Sequence, residues 1–538
     1  VTGNPETENA LLSTLEAFDQ QLEPLRTRQS ETYWQASIRG TEETFAEAEK
    51  AEIEYRKALA NRELFEELKT RLTDPGVQDL RLRRWSQVLL HEMAPHMLPE
   101  ETLADLVARE KALESKVNAF RPEIGGESVT ANAINDILRN SEEMEKRREA
   151  WEASKEIGPQ IAQDIHELVK LRNVAARSLG YPDFYRMNLE LQEIDEARLF
   201  SSLGNFAAMS EDSFRRMKAR LDRLMADRFK IDTIDLAPWH YADPFFQEVP
   251  PVFGADTDPI YQGRHTLEWV KEYFAGIGLP IDGILDKGDY YEHEGKDPHA
   301  FCIDIDRAGD VRTLMNLKDT TYWANTALHE FGHAVYDLNI DRSLPHTLRR
   351  PAHISTTEAV AMFFGRLARD LEWMMVMFGL TGPQVRSFSK TLLEEQRMQM
   401  AVLSRWILVM IHFERGLYRD PDQDQQARWW DLVERFQLVR RPVNRNDKAD
   451  WACKIHIAVA PVYYHNYLLG EWQASMFTEA MIRDLNLDEP AVWHGDPRIG
   501  EWFKEKIFSH GAMWEMNELV RNTTGNTPRP DAFVRQYL

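Results

Sequence analysis

Two cysteines, Cys302 and Cys453, are all that the 538 residues hold, and they lie far apart in the chain. A disulfide framework is therefore excluded, although a single bridge is not. Long apolar runs are missing as well. The best stretch, around Val402–Ile411, is interrupted by Arg405 and falls short of the roughly 18 residues a membrane-spanning helix needs. Positive charge is scarce: 65 Lys and Arg stand against 88 Asp and Glu, a formal net charge of −23. Nucleic acid is a poor partner for such a chain, because phosphates need compensating cations. No acidic tail or basic run concentrates the charge, which is spread over helix faces. Neither a repeat of fixed period nor a low-complexity tract appears. The first residue is Val1 rather than Met, which fits removal of an export signal and a periplasmic or secreted location; loss of a tag and a cytoplasmic location is the alternative.

What is present is a globular balance, 43% hydrophobic and 28% charged, with ample material for a core. The length allows two to four ordinary domains or one large helical one. Residues 5–120 read as successive amphipathic helices: Leu12, Leu15, Phe18 and Leu22 keep a three-and-four spacing, and Phe45, Ala48, Ala51 and Tyr55 keep it on the next. Arg39-Gly40-Thr41 and Asp74-Pro75-Gly76 punctuate them, and the stretch 118–130 is a clear break. No alternating strand pattern occurs in the first 230 residues. From Asp232 to Pro259 five prolines make a long irregular connection, too aromatic for a floppy linker. After Thr356 the pattern predicts helices over 357–378, 383–418 and 425–437, then from Ile455 to about Met481. Asp420-Pro421-Asp422-Gln423-Asp424 superficially resembles a calcium loop but lacks its glycine and closing glutamate, so a helix break capped by Asp424 is the expectation.

The one β signal is His299 to Asp306, a turn at Arg307-Ala308-Gly309-Asp310, and Val311 to Leu317. This hairpin feeds directly into Ala327-Leu328-His329-Glu330-Phe331-Gly332-His333. Leu328, Phe331 and Val335 recur at helical spacing, with Thr320 or Thr321 able to cap the start. Residues i and i+4 share a helix face, so His329 and His333 can present two imidazoles to one metal ion. Glu330 then reaches the attacking water without occupying the metal. Chance alone would give such a pentad in roughly a few per cent of chains this long, so its context must agree. A catalytic zinc takes a third protein ligand. Glu358, at the head of an apolar helix after Ser355-Thr356-Thr357, is the best candidate; plain complementation of the helix dipole is the equal alternative.

The context resembles one family, the zinc peptidyl dipeptidases of the angiotensin-converting-enzyme type. His299-Ala300 and Asp310-x-Arg312 fall at the family's distances from the metal helix. Leu344-Pro345-x-x-Leu348-Arg349-Arg350 leads to Glu358-Ala359, with one extra residue after the metal helix. Trp429-Trp430-Asp431-Leu432 precedes a linker and then Lys454-x-His456. The match covers about 299–366 and 428–470. It implies Zn2+ held by His329, His333 and Glu358, with Glu330 as general base. It further implies substrate backbone on His299 and Ala300, a terminal carboxylate on Lys454 and Tyr464 with help from Gln247, and a developing oxyanion steadied by His456 and Tyr467. The spacing from His456 to the tyrosines is one residue longer than in the animal enzymes, so Tyr463 competes with Tyr464. Asn466 stands where those enzymes carry a basic residue tied to chloride activation. Met362 stands where a carboxylate supporting the metal site is expected, leaving Asp337 or Asn325 to orient a zinc histidine. The lack of the family's usual disulfides points to a bacterial-type member.

The expectation is thus a mainly α, two-lobed ellipsoid forming one catalytic domain, with a deep cleft, a small sheet beside the zinc helix, and short peptides with a free C-terminus as substrates. Two rivals stand beside it: an endo-acting oligopeptidase of the thimet type, which resembles the same helical scaffold, and a zinc-binding receptor or scaffold without catalysis.

Overall fold

The computed structural model describes residues 3–254, 256–382, 389–487 and 493–538. The protein is mainly α, with two small two-stranded antiparallel sheets among the described residues. It divides into two compact units. One comprises Val1–Met97, Asp256–Ser389 and Leu469–Ala532; the other comprises Leu98–Ala255, Lys390–Leu468 and Phe533–Leu538.

In the first unit, helix α1 (Pro5–Arg39) starts on an Asn4 cap and stops at Gly40, whose φ of 62° closes the helix in the left-handed region. Thr41 opens the next helix, Glu42–Leu59, with a capping box to Thr44. That box turns Thr44 inward, so the buried stripe is Thr44, Ala51, Tyr55 and Leu59, while Phe45, expected inside, is exposed. Strands β1 (Phe301–Asp304) and β2 (Val311–Leu314) form the expected hairpin. Phe301, Ile303 and Ile38 pack against a buried cluster of Trp34 on α1 with Ile305 and Leu314, which fixes one face of the hairpin. Asp289 bridges Leu314 on the far side of β2; β1 is the outer strand of the sheet among the described residues.

The hairpin packs on α2 (Thr321–Leu338), the helix of the histidine pair. Its cap is Thr320, which accepts from the Trp323 amide. Ala324, Ala327, Leu328, Phe331, Ala334 and Val335 are fully buried, and each large apolar side chain among them stabilises the fold by about 1.5–3 kcal/mol. Helix α3 (Ile354–Gly365) lies against α2 at Gly332. A Cβ on Gly332 would sit 2.9 Å from Ala361 Cα and 3.1 Å from a Phe364 ring carbon. The glycine between the two histidines is what allows this approach. Gly332→Ala gains helix propensity of about 1 kcal/mol but forces two packed backbones apart, which costs about 1–3 kcal/mol and wins. The variant should unfold at lower denaturant in the metal-free state and hold metal more weakly, since α3 carries Glu358. An unchanged midpoint would show that the helices can separate freely.

Two predicted elements are corrected. Residues 357–378 are not one helix: α3 begins at Ile354 on a His353 cap, passes into a tight turn at Arg366–Arg369, and a new helix runs Leu371–Phe378 from an Asp370 cap. The helix predicted from 383 is described from Ser389 to Arg419, and 383–388 lie outside the described residues. The continuous helix expected from Ile455 is broken. A single turn, His456–Val459, precedes α4 (Tyr464–Leu485), because Pro461 brings no amide hydrogen and Val462 sits at φ 55°.

In the second unit, the break near 118–130 contains an unforeseen hairpin, Glu123–Ile124 against Glu127–Ser128, turned by Gly125 and Gly126. Asp424 caps Gln425–Gln437 as expected. The proline-rich connection is pinned down: Asp243 accepts from the amides of Phe245, Gln247 and Glu248, and Trp151 and Lys155 both donate to the Pro244 carbonyl. No described helix is long and apolar enough to cross a membrane.

Candidate metal centre

Helix α2 places His329 and His333 one turn apart, with Nε2 atoms 3.2 Å from each other. Glu358 Oε2 lies 3.7 Å from His329 Nε2, and the three ligand atoms all lie within 4.8 Å of one another. Bonds of about 2.0–2.1 Å to a tetrahedral zinc set neighbouring ligands about 3.3 Å apart, so the donor set has the right size. Its protonation also fits. Burial pulls His329 down to about 4 and holds His333 well below the ordinary imidazole range, leaving both imidazoles neutral with lone pairs available.

Helix α3 starts at Ile354, so Glu358 is a full turn inside it rather than at its head. Dipole complementation fades beyond the first turn and cannot account for a carboxylate there. Helix α4 backs the position: a Cβ on Gly470 would lie 3.3 Å from Glu358 Cβ. Gln473 on α4 donates to Ser355 Oγ at 2.8 Å and accepts from Thr356 Oγ1 at 3.1 Å. These buried bonds fix the turn of α3 that precedes the carboxylate.

The residue that orients a histidine is Thr357, whose hydroxyl is 2.7 Å from His333 Nδ1. Neither of the two proposed residues does so. Asn325 donates to the Gly365 carbonyl at 2.7 Å, and Asp337 sits by the Cys302 thiol. The sequence carried a signal in Thr357, a hydroxyl beside the third candidate ligand, but nothing in spacing assigns it to a helix it meets only in the fold.

Glu330 is buried beside the cluster and accepts from the Cys302 amide on β1. Burial, reinforced by Glu358, pushes its carboxyl up to about 8. A divalent cation held by the neighbouring ligands would pull the other way. His299 and Ala300 run just ahead of β1, and the His299 ring is 87% exposed, beside Asp297 at 3.0 Å. Cys302 and Cys453 are free thiols, which removes the option of a bridge.

The second unit gathers the other predicted residues. Lys454 Nζ donates to Gln247 Oε1 at 3.0 Å and lies over the rings of Phe245 and Trp406 at 5.3 and 5.5 Å. Burial draws its ammonium down to about 8, against the pull of Asp243. Trp406 touches Tyr464 at 6.1 Å between ring centroids. His456 lies 5.6 Å from Tyr464, and burial holds it near 4, hence neutral at pH 7. Tyr467 stacks edge-on with both Tyr463 and Tyr464, at 5.2 and 5.6 Å. Tyr464 is buried, while Tyr463 and Tyr467 are half-buried.

Two family models match the chain. That of angiotensin-converting enzyme covers residues 5–212, and that of peptidase family M3 covers residues 288–537. Carboxypeptidase 1 of Bacillus subtilis (strain 168) is 24% identical over 250 residues, 42% of this chain and 49% of the relative. The chain thus spans about half the length of this curated relative.

Proposed function

We propose, for a chain that belongs to the angiotensin-converting-enzyme-like family of gluzincin metallopeptidases, that it is a zinc peptidyl dipeptidase releasing C-terminal dipeptides from short peptides. The convergence of His329, His333 and Glu358, with Glu330 buried beside them, is the observation that carries the peptidase half of this reading. Zinc in that ligand set supplies a Lewis acid for the scissile carbonyl and the attacking water. Glu330 takes the water's proton and passes it to the leaving amine. The Cys302 amide keeps the carboxylate aimed. His299 and Ala300, leading into the outer strand, take the substrate's main chain as an added strand. His456 and Tyr467 donate to the developing oxyanion, a contribution of about 3 kcal/mol.

The Lys454–Gln247 pair supports exopeptidase action. A buried ammonium whose hydrogen-bond partner is a neutral amide can still take a carboxylate, and a point cation for a free C-terminus is how an enzyme counts from a peptide's end. Tyr464 or Tyr463 steadies the same carboxylate. Lys454→Ala should therefore raise KM for free-acid peptides by about 10-fold or more, the loss of a charged hydrogen bond of about 1.5–3 kcal/mol, and barely change amidated ones. The charge is present below about pH 8 and lost above it, so KM for free-acid peptides should climb above that pH while the amidated series stays flat. Equal effects on both series would remove Lys454 from carboxylate binding.

An endo-acting oligopeptidase of the thimet type is the second reading, favoured by the match of 288–537 to a peptidase family other than the converting-enzyme one. Digestion of a free-acid hexapeptide separates the readings: C-terminal dipeptides support the proposal, internal cuts support the rival, and single residues fit the carboxypeptidase named among the relatives.

A further inference from the structure

The turn before α4 is held by side chains that the reaction as described above does not use. Val462, a β-branched residue, is buried with φ 55°, a conformation that only its surroundings can maintain. Its amide donates to Glu414 Oε1 at 2.7 Å, and its carbonyl accepts from Gln192 Nε2 at 3.2 Å. The other end of the same glutamine amide accepts from His465 Nε2 and from Asn466 Nδ2, each at 3.0 Å. Gln192 therefore ties the strained residue to the first turn of the helix that presents Tyr464 and Tyr467. Residues i and i+3 of a helix move together, so a rotation of that first turn would swing both phenols at once.

We infer that Gln192, with Glu414 behind it, is a positioning residue that sets the direction of the Tyr464 and Tyr467 phenols. The inference rests on the reading of those tyrosines given under the proposed function. Gln192 follows the helix Phe184–Leu191, far from the tyrosines in sequence, and carries no motif that would mark it. One planar amide meets three otherwise separate demands: a donor for the Val462 carbonyl, and an acceptor shared by His465 and Asn466. Burial of His465 and Asn466 makes water a poor replacement for it.

The test uses zinc-loaded full-length protein with Gln192→Leu, Gln192→Glu and Glu414→Leu, each alone and in a Tyr467→Phe background. Amide hydrogen exchange over 460–467 reports the turn. Turnover of a free-acid peptide, and binding of a tetrahedral phosphonate peptide compared with that of a product dipeptide, report the phenols. Gln192→Leu should speed exchange at Val462 and the first turn of α4, lower kcat by about 10–100-fold, and weaken the phosphonate more than the dipeptide, because both ligands lose Tyr464 at the terminal carboxylate and only the phosphonate also loses Tyr467. Zinc content should stay at that of the parent. In Tyr467→Phe the added loss in kcat should nearly vanish, because both changes remove the one oxyanion contact. Gln192→Glu keeps the acceptor for His465 and Asn466 and should recover much of the activity. Unchanged exchange in Gln192→Leu, a loss of activity that simply adds to that of Tyr467→Phe, or equal weakening of both ligands overturns the inference. Should Tyr467→Phe itself keep full activity, the oxyanion role of Tyr467 fails, while the hold on the turn is still decided by exchange.

Discussion

Glu330→Gln is expected to keep its metal and lose about 10²–10⁴-fold in kcat, the range a well-placed general base contributes. The substitution is nearly isosteric in a buried position, and a glutamine oxygen can still accept from the Cys302 amide. What disappears is the ability to take a proton. Glutamine also removes a carboxylate that burial and Glu358 both penalise, so the variant should fold at least as well as the parent without metal. Zinc by elemental analysis and turnover on a free-acid peptide, measured on one sample, check this. Retained turnover with full metal would mean that another group accepts the proton, and the role assigned to Glu330 would be wrong.

The second large effect concerns the ligand set. Glu358→Ala removes one of the three proposed protein ligands, and zinc should be lost on dialysis with activity falling in proportion. Thr357→Val sets the scale beside it. Losing the hydroxyl 2.7 Å from His333 Nδ1 frees the ring to turn, and partners of this kind typically cost about 10–100-fold in metal affinity. Glu358→Ala should exceed that range clearly. Stability follows by linkage: with free zinc at about 1,000 times its dissociation constant, the metal adds about 4.1 kcal/mol to the folded state. The parent should therefore unfold earlier in chelator, whereas Glu358→Ala should show little difference between chelator and zinc. A Glu358→Ala protein that held zinc as tightly as the parent would break the proposed coordination and the function built on it.

The sequence by itself determined the elements whose causes are local. The i, i+4 histidines, a cap at Thr320 or Thr321 (Thr320 in the fold), the hairpin before the histidine helix, the halt at Gly40 and the Asp424 cap each depend on a few consecutive residues, and spacing or turn chemistry reads them directly. Glu358 was legible as a candidate, but composition and dipole arguments left it evenly weighed. Tertiary structure decided what depends on one helix meeting another. The approach of α3 to α2 at Gly332 brings Glu358 to the histidines and Thr357 to His333. The helix predicted from Ile455 runs through Pro461, a break that local chemistry does signal, whereas the left-handed Val462 that completes it is held by Glu414 and Gln192, distant in sequence. Asn325 and Asp337 were plausible by helical spacing, yet their side chains satisfy other groups. A polar side chain takes whichever partner the packed core leaves within about 3 Å, and periodicity along one chain segment does not specify the neighbours that packing supplies.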